Sequence, residues 1–333
     1  MPVLVTGGMG FIGSHTCVEL INHNFEVIIL DNLKNSRIDI LDRIEKITGK
    51  QPVFYKVDLL NKNDIEKIFY NHKIESVIHL AGLKSVSESF HFPLQYYQNN
   101  VIGTLNLCEV MSKYQVKKLV FSSSATVYGN KNISPLKENM HLEPTNPYGN
   151  TKLIVEKFLG DLVESDSDWS IAVLRYFNPV GAHESGMIGE KPTGTPANLM
   201  PYITQVAAGK RKELKVYGND YDTHDGTGIR DYIHIMDVAV GHLKALEMIQ
   251  VTKGVKVYNL GTGKGYSVLD VIKTFEETTG QKVRYSFSGR RKGDIAVCYA
   301  DVTKARNELG WEAKRSLTEM CRDAWNWELK SDY

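Results

Sequence analysis

The chain contains little cysteine, and the cysteines it has are scattered. Its 333 residues include Cys17, Cys108, Cys298 and Cys321, none of which forms a C-x-x-C pair. A disulfide framework or a cysteine zinc site is therefore not expected, and this usage favours a reducing compartment. The histidines also lack the spacing of metal ligands, so we expect no metal site.

Long apolar runs and an excess of either charge are also missing. No run approaches the length that spans a bilayer, and the first strand-like run begins near Val3, leaving no room for a targeting segment. Lys and Arg number 40 against 39 Asp and Glu, for a net charge of +1. This balance gives no reason to expect nucleic acid or an anionic membrane as a partner. We therefore expect a cytoplasmic, soluble protein.

Strand and helix patterns alternate through the first half of the chain. This alternation predicts an α/β fold with a doubly wound parallel sheet of the Rossmann type, which binds its ligand at the carboxyl ends of the strands. The predicted strands are 3–6, 26–31, 53–57, 75–80, 117–123 and 171–176. The predicted helices lie near 12–23, 37–48, 62–71, 94–115 and 148–164.

The pattern becomes less regular after residue 178. The stretch 179–230 is rich in Gly, Pro and Asn and has one good helical pattern, near 198–208, whereas a strand predicted at 257–260 is expected to return to the main sheet. We therefore predict a nucleotide-binding domain over 1–178, to which about 231–264 return. A smaller, interleaved C-terminal substrate domain is predicted over 179–333.

A glycine-rich turn follows the first predicted strand. Gly7, Gly10 and Gly13 separate that strand from an apolar helical pattern, and such glycines let a backbone approach a pyrophosphate at a helix N-terminus. Asp31 ends the next strand, eighteen residues beyond Gly13. An acid there accepts hydrogen bonds from an adenosine ribose and repels the extra phosphate of NADP. The pattern therefore predicts an NAD site.

Two side chains at the start of a later helix could move a proton. Tyr148 and Lys152 are four residues apart, so they project from the same side of the helix. A neighbouring ammonium and a positive nicotinamide ring would lower the pKa of the tyrosine and make it an acid–base group for alcohol–ketone interconversion. Ser124, at the end of strand 117–123, could bond the same substrate hydroxyl.

Longer motifs run through nearly the whole chain. They are Thr-Gly-Gly-Met-Gly-Phe-Ile-Gly-Ser-His at 6–15, Ala-Gly-Leu-Lys at 81–84, Ser-Ser-Ser-Ala-Thr-Val-Tyr-Gly at 122–129, Leu-Arg-Tyr-Phe-Asn-Pro-Val-Gly-Ala-His at 174–183 and Gly-Ile-Arg-Asp-Tyr-Ile-His at 228–234. With Tyr148 and Lys152, they make the chain resemble the extended short-chain dehydrogenase/reductase family. Within that family it is similar to the isomerases that epimerise UDP-hexoses at C4.

The resemblance implies a tightly held NAD that is reduced and reoxidised within each turnover. Tyr148, aided by Ser124, would take the proton of the sugar 4-hydroxyl while the C4 hydride moves to the nicotinamide. The resulting 4-keto sugar would turn over and take the hydride back on its other face, interconverting UDP-glucose and UDP-galactose. Lys152 would lower the tyrosine pKa and hold the nicotinamide ribose.

The resemblance also assigns the ligand contacts. Those to NAD would come from Gly7, Gly10, Phe11, Ile12, Gly13, Asp31, Asn32, Asp58, Leu59, Leu80, Ala81, Gly82, Lys84, Asn99, Ser122, Tyr148, Lys152, Tyr176 and Phe177. Those to the UDP-sugar would come from Lys84, Ser124, Tyr148, Asn178, Asn198, Leu199, Tyr217, Arg230, Arg291, Asp294 and Cys298. The family places a gate at Cys298, where a small residue is expected to admit an N-acetyl group. We therefore expect activity on UDP-N-acetylhexosamines as well.

Three alternative functions are weighed against this one. A nucleotide-sugar 4,6-dehydratase would need an Asp-Glu pair where this chain has Ala125 and Thr126. A redox-sensing binding protein commonly lacks the tyrosine or lysine that this chain keeps. An NAD-dependent reductase that releases its cofactor stays open. The apolar surface of helices 94–115 and 148–164, together with the resemblance, suggests a homodimer formed through a four-helix contact.

Overall fold

Seven parallel strands form the central sheet of the computed structural model, which describes residues 1–192, 194–291 and 293–331. Numbered along the chain, the strands are β1 (Pro2–Thr6), β2 (Glu26–Asp31), β3 (Val53–Lys56), β4 (Ser76–His79), β5 (Lys118–Ser124), β6 (Ser170–Tyr176), β7 (Asn178–Val180), β8 (Leu214–Tyr217), β9 (Ile229–Arg230), β10 (Tyr232–His234), β11 (Gly254–Leu260), β12 (Tyr266–Ser267), β13 (Tyr285–Ser288) and β14 (Val297–Cys298). The order across the sheet is β3-β2-β1-β4-β5-β6-β11. The predicted doubly wound parallel sheet is thus confirmed, because the order reverses between β1 and β4.

Helices cover both faces of this sheet. The α-helices of the described residues are α1 (Phe11–Asn22), α2 (Ile40–Thr48), α3 (Lys62–Asn71), α4 (Val86–His91), α5 (Pro93–Tyr97), α6 (Gly103–Lys113), α7 (Pro147–Ser165), α8 (Leu199–Ala207), α9 (Ile235–Met248), α10 (Val268–Thr279), α11 (Thr303–Leu309) and α12 (Leu317–Lys330). Of these, α8, α10 and α12 belong to a separate apolar cluster and do not cover the sheet. None of the helices among the described residues combines the length and apolar character needed to cross a membrane.

The strands of the sheet are apolar on both sides because both faces are buried. In β1, Val3 and Val5 belong to the core layer that includes residues of α1 and α9, whereas Leu4 belongs to the layer on the opposite face. Side chains alternate between the two faces of a strand, so one continuous apolar run serves both layers. The turn that follows β1 therefore lies at the end of the sheet where the carboxyl ends of the parallel strands meet.

The predicted helix 94–115 is interrupted in the structure. It consists of α5, a π-helical segment at Gln98–Ile102, and α6. The buried side chain of Asn100 lies in the π segment and bonds to residues outside it, Leu83 and Thr151. Tertiary hydrogen bonds thus accompany the local widening of the helix, as is common for π segments near functional sites.

Three small sheets and a separate apolar cluster lie beyond β6. β7 pairs with β10, β8 pairs with β13, and β9 lies between β12 and β14. The cluster is formed chiefly by side chains of α8, α10 and α12, among them Ile203, Phe275 and Met320. In contrast, β11 pairs with β6 in the central sheet and α9 contributes to the core beside α1.

Candidate active site

The turn after β1 lets a ligand come close to the protein backbone, because its glycines carry no side chains. Gly7 has φ +70°, and a Cβ atom added there would lie 2.7 Å from the backbone nitrogen of Ala81. A Cβ atom at Gly13 would lie 2.1 Å from the carbonyl oxygen of Gly7. No side chain caps the N-terminus of α1, which begins at Phe11. Free N–H groups at a helix N-terminus favour an anion, so these residues fit a dinucleotide pyrophosphate.

Asp31, at the end of β2, is tied to this turn. Its Oδ2 accepts a hydrogen bond from the backbone N–H of Met9 at 3.1 Å. Its Oδ1 accepts from the N–H of Leu33 at 2.9 Å and from the hydroxyl of Ser36 at 2.8 Å. The carboxylate therefore fixes the glycine turn against the end of β2, in addition to the ribose contact predicted for it.

The residues predicted to contact the adenosine lie beside Asp31. Asn32 donates from Nδ2 to Oδ2 of Asp58 at 2.8 Å, which joins the ends of β2 and β3. Leu59 is buried, and the Cβ atom of Leu59 would lie 3.1 Å from a Cβ atom added at Gly103. These contacts bring two predicted cofactor residues from separate strands to the same edge of the sheet.

The turn after β4 forms the next wall of the site. The N–H of Leu80 donates to the carbonyl oxygen of Thr6 at 3.0 Å, and Ala81 lies against Gly7 as described above. A Cβ atom at Gly82 would lie 3.1 Å from Oδ1 of Asn100 and 3.9 Å from Nζ of Lys152. The turn therefore contacts both the glycine loop and the lysine of α7.

Asn100 is a site residue that the sequence reasoning missed. Its amide accepts from the N–H of Leu83 at 2.8 Å and donates to the carbonyl oxygen of Leu83 and to the hydroxyl of Thr151, at 2.9 and 3.0 Å. It thereby joins the turn after β4 to α7. The predicted contact Asn99, next to it, donates instead to the carbonyl oxygen of Gln95 at 2.9 Å. A buried asparagine in an apolar helical pattern is the signal that could have found Asn100.

A side-chain cap and a proline fix the start of α7. Oδ1 of Asn146 accepts from the N–H of Gly149 at 2.8 Å, and Pro147 occupies the first turn. Both features are typical of a helix N-terminus. They place Tyr148 in the first turn of α7 and Lys152 one turn later, and both side chains are buried.

Ser124, at the end of β5, faces Tyr148. Thr126 donates to Oγ of Ser124 from its N–H at 3.2 Å and from its hydroxyl at 3.0 Å. Because Ser124 accepts twice, its own hydroxyl proton is left to donate, and its hydroxyl is close enough to Tyr148 to lower the pKa of that phenol. Thr126 therefore orients Ser124, a role that the sequence did not indicate.

The electrostatics of the pair differ from the sequence-based expectation. Burial raises the pKa of Tyr148, and the hydrogen bond from Ser124 opposes that rise. Nζ of Lys152 lies 5.9 Å from the centre of the Tyr148 ring and donates to the carbonyl oxygen of Ser122 at 2.7 Å, so burial is the larger influence on Tyr148 in this structure. Burial also lowers the pKa of Lys152 to about 8.

Tyr176 and Phe177, predicted to line the nicotinamide pocket, follow one another at the end of β6. The Tyr176 hydroxyl forms a buried hydrogen bond with Nε2 of His242 and also contacts Ser122. Phe177 belongs to a small apolar cluster against which Cys298 packs. The predicted gate thus packs against the same apolar cluster as a predicted cofactor residue.

Each of the two arginines among the predicted UDP contacts lies against another predicted UDP contact. Nη2 of Arg230 lies 3.5 Å from Oδ1 of Asp294. The guanidinium of Arg291 lies 3.9 Å from the centre of the Tyr217 ring. These four predicted residues therefore form two pairs. A guanidinium can still fork onto phosphate oxygens from such a position.

Asp231 organises the strands that carry Arg230 and Cys298. Its buried carboxylate accepts from the N–H and hydroxyl of Thr262, both at 2.7 Å, and from the N–H of Ala300 at 3.1 Å. Cys298 pairs in register with Arg230 across β14 and β9. Burial raises the pKa of the Cys298 thiol to about 11, so it acts as a small, neutral side chain.

Two further predicted ligand contacts, Asn198 and Lys84, meet at Glu190, which the sequence did not single out. Asn198 donates to Oε1 of Glu190 at 2.7 Å, and Nζ of Lys84 lies 2.7 Å from the same oxygen. Leu199 begins α8 directly after Asn198, and Asn178 is exposed at the start of β7.

Comparison with known proteins agrees with this geometry. A family model described as GDP-mannose 4,6 dehydratase matches residues 4–324. The UDP-glucose 4-epimerase of Bacillus subtilis is 58% identical over 328 residues, which are 98% of this chain and 97% of the relative. The crystal structure of UDP-glucose-4-epimerase from Stenotrophomonas maltophila with bound NAD and formylated UDP-arabinopyranose has a TM-score of 0.98 and 51% identity, covering 100% of this chain and 99% of that one. The enzyme from Bifidobacterium longum in complex with NAD⁺ and UDP has a TM-score of 0.96 and 51% identity, with coverage of 100% and 99%.

The chain therefore belongs to the extended short-chain dehydrogenase/reductase family, in its group of NAD-dependent epimerases and dehydratases. Within that group it belongs with the UDP-glucose 4-epimerases, which are isomerases. The predicted resemblance, enzyme class and fold class are confirmed. NAD, the predicted cofactor, is bound in both solved relatives.

Proposed function

We propose that this chain interconverts UDP-glucose and UDP-galactose by inverting C4 of the sugar, with NAD held as a resident cofactor. One observation carries the proposal: Tyr148, which lies beside Ser124 and one turn from Lys152, is at the same end of the strands as the glycine turn. Membership of the UDP-glucose 4-epimerases supports the choice of substrate.

The cofactor site is proposed from the chain's own residues. The glycine turn and the N-terminus of α1 would hold the pyrophosphate, Asp31 with Asn32 the adenosine ribose, and Ser122 and Tyr176 would line the nicotinamide end. When bound there, NAD supplies the acceptor and donor of the hydride at C4. Because the same cofactor serves both half-reactions, the net reaction is an isomerisation.

Tyr148 is the proposed acid–base residue. Its phenol would accept the proton of the sugar 4-hydroxyl and return it to the opposite epimer, while Ser124 holds the same oxygen through its hydroxyl. In the structure, burial keeps the pKa of Tyr148 high. A positive charge that arrives with the cofactor would lower it, so the base would be formed only in the loaded enzyme.

On the substrate side, Arg230 and Arg291 would bind the UDP diphosphate, and Asp294 would accept from ribose hydroxyls. Asn178, Asn198, Leu199 and Tyr217 would complete the UDP contacts. We further propose that the chain accepts UDP-N-acetylglucosamine and UDP-N-acetylgalactosamine. The reason is that Cys298, which packs against the apolar cluster that contains Phe177, is smaller than the tyrosine that would restrict the site to unmodified hexoses.

The substrate range is tested by incubating the purified protein with each of the four UDP-sugars and no added cofactor. We expect all four to be epimerised, and Cys298→Tyr to lose the N-acetyl substrates while keeping the two hexoses. N-acetyl turnover that is absent in the parent, or unchanged in the variant, would contradict the gate. Turnover that requires added NAD⁺ would instead indicate a reductase.

The 4,6-dehydratase alternative has little support from this site. Elimination needs a carboxylic acid and a base beside the tyrosine. Ala125 and Thr126 occupy the positions of that acid and base, and Thr126 donates its N–H and hydroxyl hydrogen bonds to Ser124. Formation of a 4-keto-6-deoxy product would overturn this view.

We also propose that residues 1–178 with about 231–264 bind the nucleotide and that the remaining C-terminal residues bind the UDP-sugar; of these, 193, 292, 332 and 333 lie outside the described part. We further propose a homodimer. Large apolar side chains are exposed on or beside α4, α5, α7 and the π segment: Phe90, Phe92, Leu94, Ile102 and Ile154. Such a patch is typical of a protein–protein contact. A monomeric mass by light scattering at micromolar concentration would contradict the dimer.

A further inference from the structure

The carboxylate of Glu190 joins two residues that have proposed ligand roles. Its Oε1 lies 2.7 Å from Nζ of Lys84 and accepts from Nδ2 of Asn198 at 2.7 Å. Lys84 follows β4 on the cofactor side, where its Nζ lies 5.9 Å from the ring centre of Phe11 at the start of α1. Asn198 precedes α8 on the UDP side. The contact therefore crosses the site between its two halves.

Glu190 is the fixed member of this cluster. Its side chain is 11% exposed, whereas that of Lys84 is 62% exposed. The indole N–H of Trp327 donates to the carbonyl oxygen of Glu190 at 3.0 Å, and a Cβ atom at Gly189 would lie 2.4 Å from the Trp327 ring. The main chain here is thus held tightly against α12, so the carboxylate is presented from a rigid support.

Stability alone does not account for this arrangement. An ion pair with an exposed lysine contributes little to folding, while burying a carboxylate has a cost. Asn198 also makes no side-chain cap at the N-terminus of α8, and its Nδ2 donates to Glu190. The free N–H groups of α8, the remaining N–H groups of Lys84 and the oriented amide of Asn198 are together suited to a diphosphate.

We propose that Glu190 is a positioning residue for the nucleotide-sugar, which holds Asn198 and Lys84 in the orientation that receives its diphosphate. The proposal rests on the roles proposed above for Lys84 and Asn198. Without Glu190, both side chains must be ordered when the ligand binds, which weakens binding. The reacting groups at Tyr148 are unaffected, so the loss falls on affinity and not on the chemical step.

The test is the affinity of NAD-loaded protein for UDP, measured by calorimetry, for the parent, Glu190→Ala and Glu190→Gln. We expect Glu190→Ala to bind UDP about five-fold more weakly, as for one lost hydrogen bond. Glu190→Gln keeps an acceptor oxygen and removes a negative charge near the diphosphate, so it should bind at least as tightly as the parent. The matched control is Glu143→Ala, which removes an exposed carboxylate paired with Lys131.

Two further readouts separate positioning from structural damage. For Glu190→Ala, KM for UDP-glucose should rise by the same factor as the dissociation constant, with kcat changed less than about two-fold and the bound NAD content unchanged. Combined with Asn198→Ala, the loss should be smaller than the product of the two single losses, because Glu190 acts partly through Asn198.

The proposal would be overturned if Glu190→Ala bound UDP as tightly as the parent or more tightly, or if Glu190→Gln bound it more weakly. Loss of bound NAD would also overturn it, as would a loss of affinity in the double variant equal to the product of the two single losses. The proposed function is tested separately by the parent. A parent that does not bind or epimerise UDP-glucose refutes that function, whatever the variants do.

Discussion

Lys152 donates a hydrogen bond from Nζ to the carbonyl oxygen of Ser122 at 2.7 Å, linking the catalytic helix α7 to the end of β5. The lysine is buried, and burial lowers its pKa from 10.5 to about 8. A buried ammonium of this kind is costly to the ligand-free fold. Such costs are typical of groups retained for function.

We predict that Lys152→Met stabilises nucleotide-free protein at pH 7 while abolishing most activity. The substitution removes a burial cost of about 3 kcal/mol and one hydrogen bond worth about 1 kcal/mol. The free energy of unfolding, measured in urea, should therefore rise by about 2 kcal/mol. A variant less stable than the parent at pH 7 would contradict the burial cost.

The pH dependence of that difference has a definite sign. The folded-state pKa of Lys152 is depressed, so its penalty is fully present below about pH 8. Between there and the unfolded value of 10.5, the native chain has lost the proton that the unfolded chain keeps. The free energy of unfolding of the parent should therefore rise relative to that of Lys152→Met as the pH increases. A difference in unfolding free energy that stays constant with pH would refute the assignment.

Tyr148→Phe should lower kcat by about 10²- to 10⁴-fold, because it removes the proposed acid–base group. The aromatic ring remains without its hydroxyl, so the variant should keep its NAD and its affinity for UDP. Stopped assays with UDP-galactose give the rate, and calorimetry gives the affinity. The control is Tyr70→Phe, at a side chain 80% exposed, which should match the parent.

Gly13→Ala should lose bound NAD and destabilise the fold by about 1 to 3 kcal/mol. The new Cβ atom would lie 2.1 Å from a backbone oxygen of Gly7, so the turn must move. NAD released on denaturation and the urea midpoint are the measurements. Gly160→Ala in α7 is the matched control, since a Cβ atom there meets nothing within 4 Å and should stabilise the helix by up to about 1 kcal/mol. Full NAD content in Gly13→Ala would show that the turn does not hold the cofactor.

Features with local causes were the ones the sequence could predict. The apolar run of β1, the glycines behind it and Asp31 at the end of β2 depend on neighbours in the chain, so their pattern indicated a parallel sheet and a dinucleotide turn. The same holds for Tyr148 and Lys152, whose spacing on a helix places them together. The family motifs then supplied the substrate class.

Features that depend on distant contacts were not predicted. Asn100 joins a π segment to Leu83 and Thr151, and no local pattern indicates that the helix widens there. Glu190 lies in a Gly-rich stretch and belongs to no motif, and it becomes notable only because Lys84 and Asn198 converge on it. The pKa of Tyr148 depends on burial, which the spacing of Tyr148 and Lys152 could not reveal.

The central claim is that the hydride leaves C4 of the sugar and returns to C4 of the same site-bound sugar. Its most direct test uses UDP-galactose carrying deuterium at C4, with purified protein and no added NAD. We predict UDP-glucose that keeps the deuterium at C4, with no free reduced cofactor. Product whose C4 label has been lost to solvent, or a reaction that proceeds only with added NAD⁺, would contradict the account.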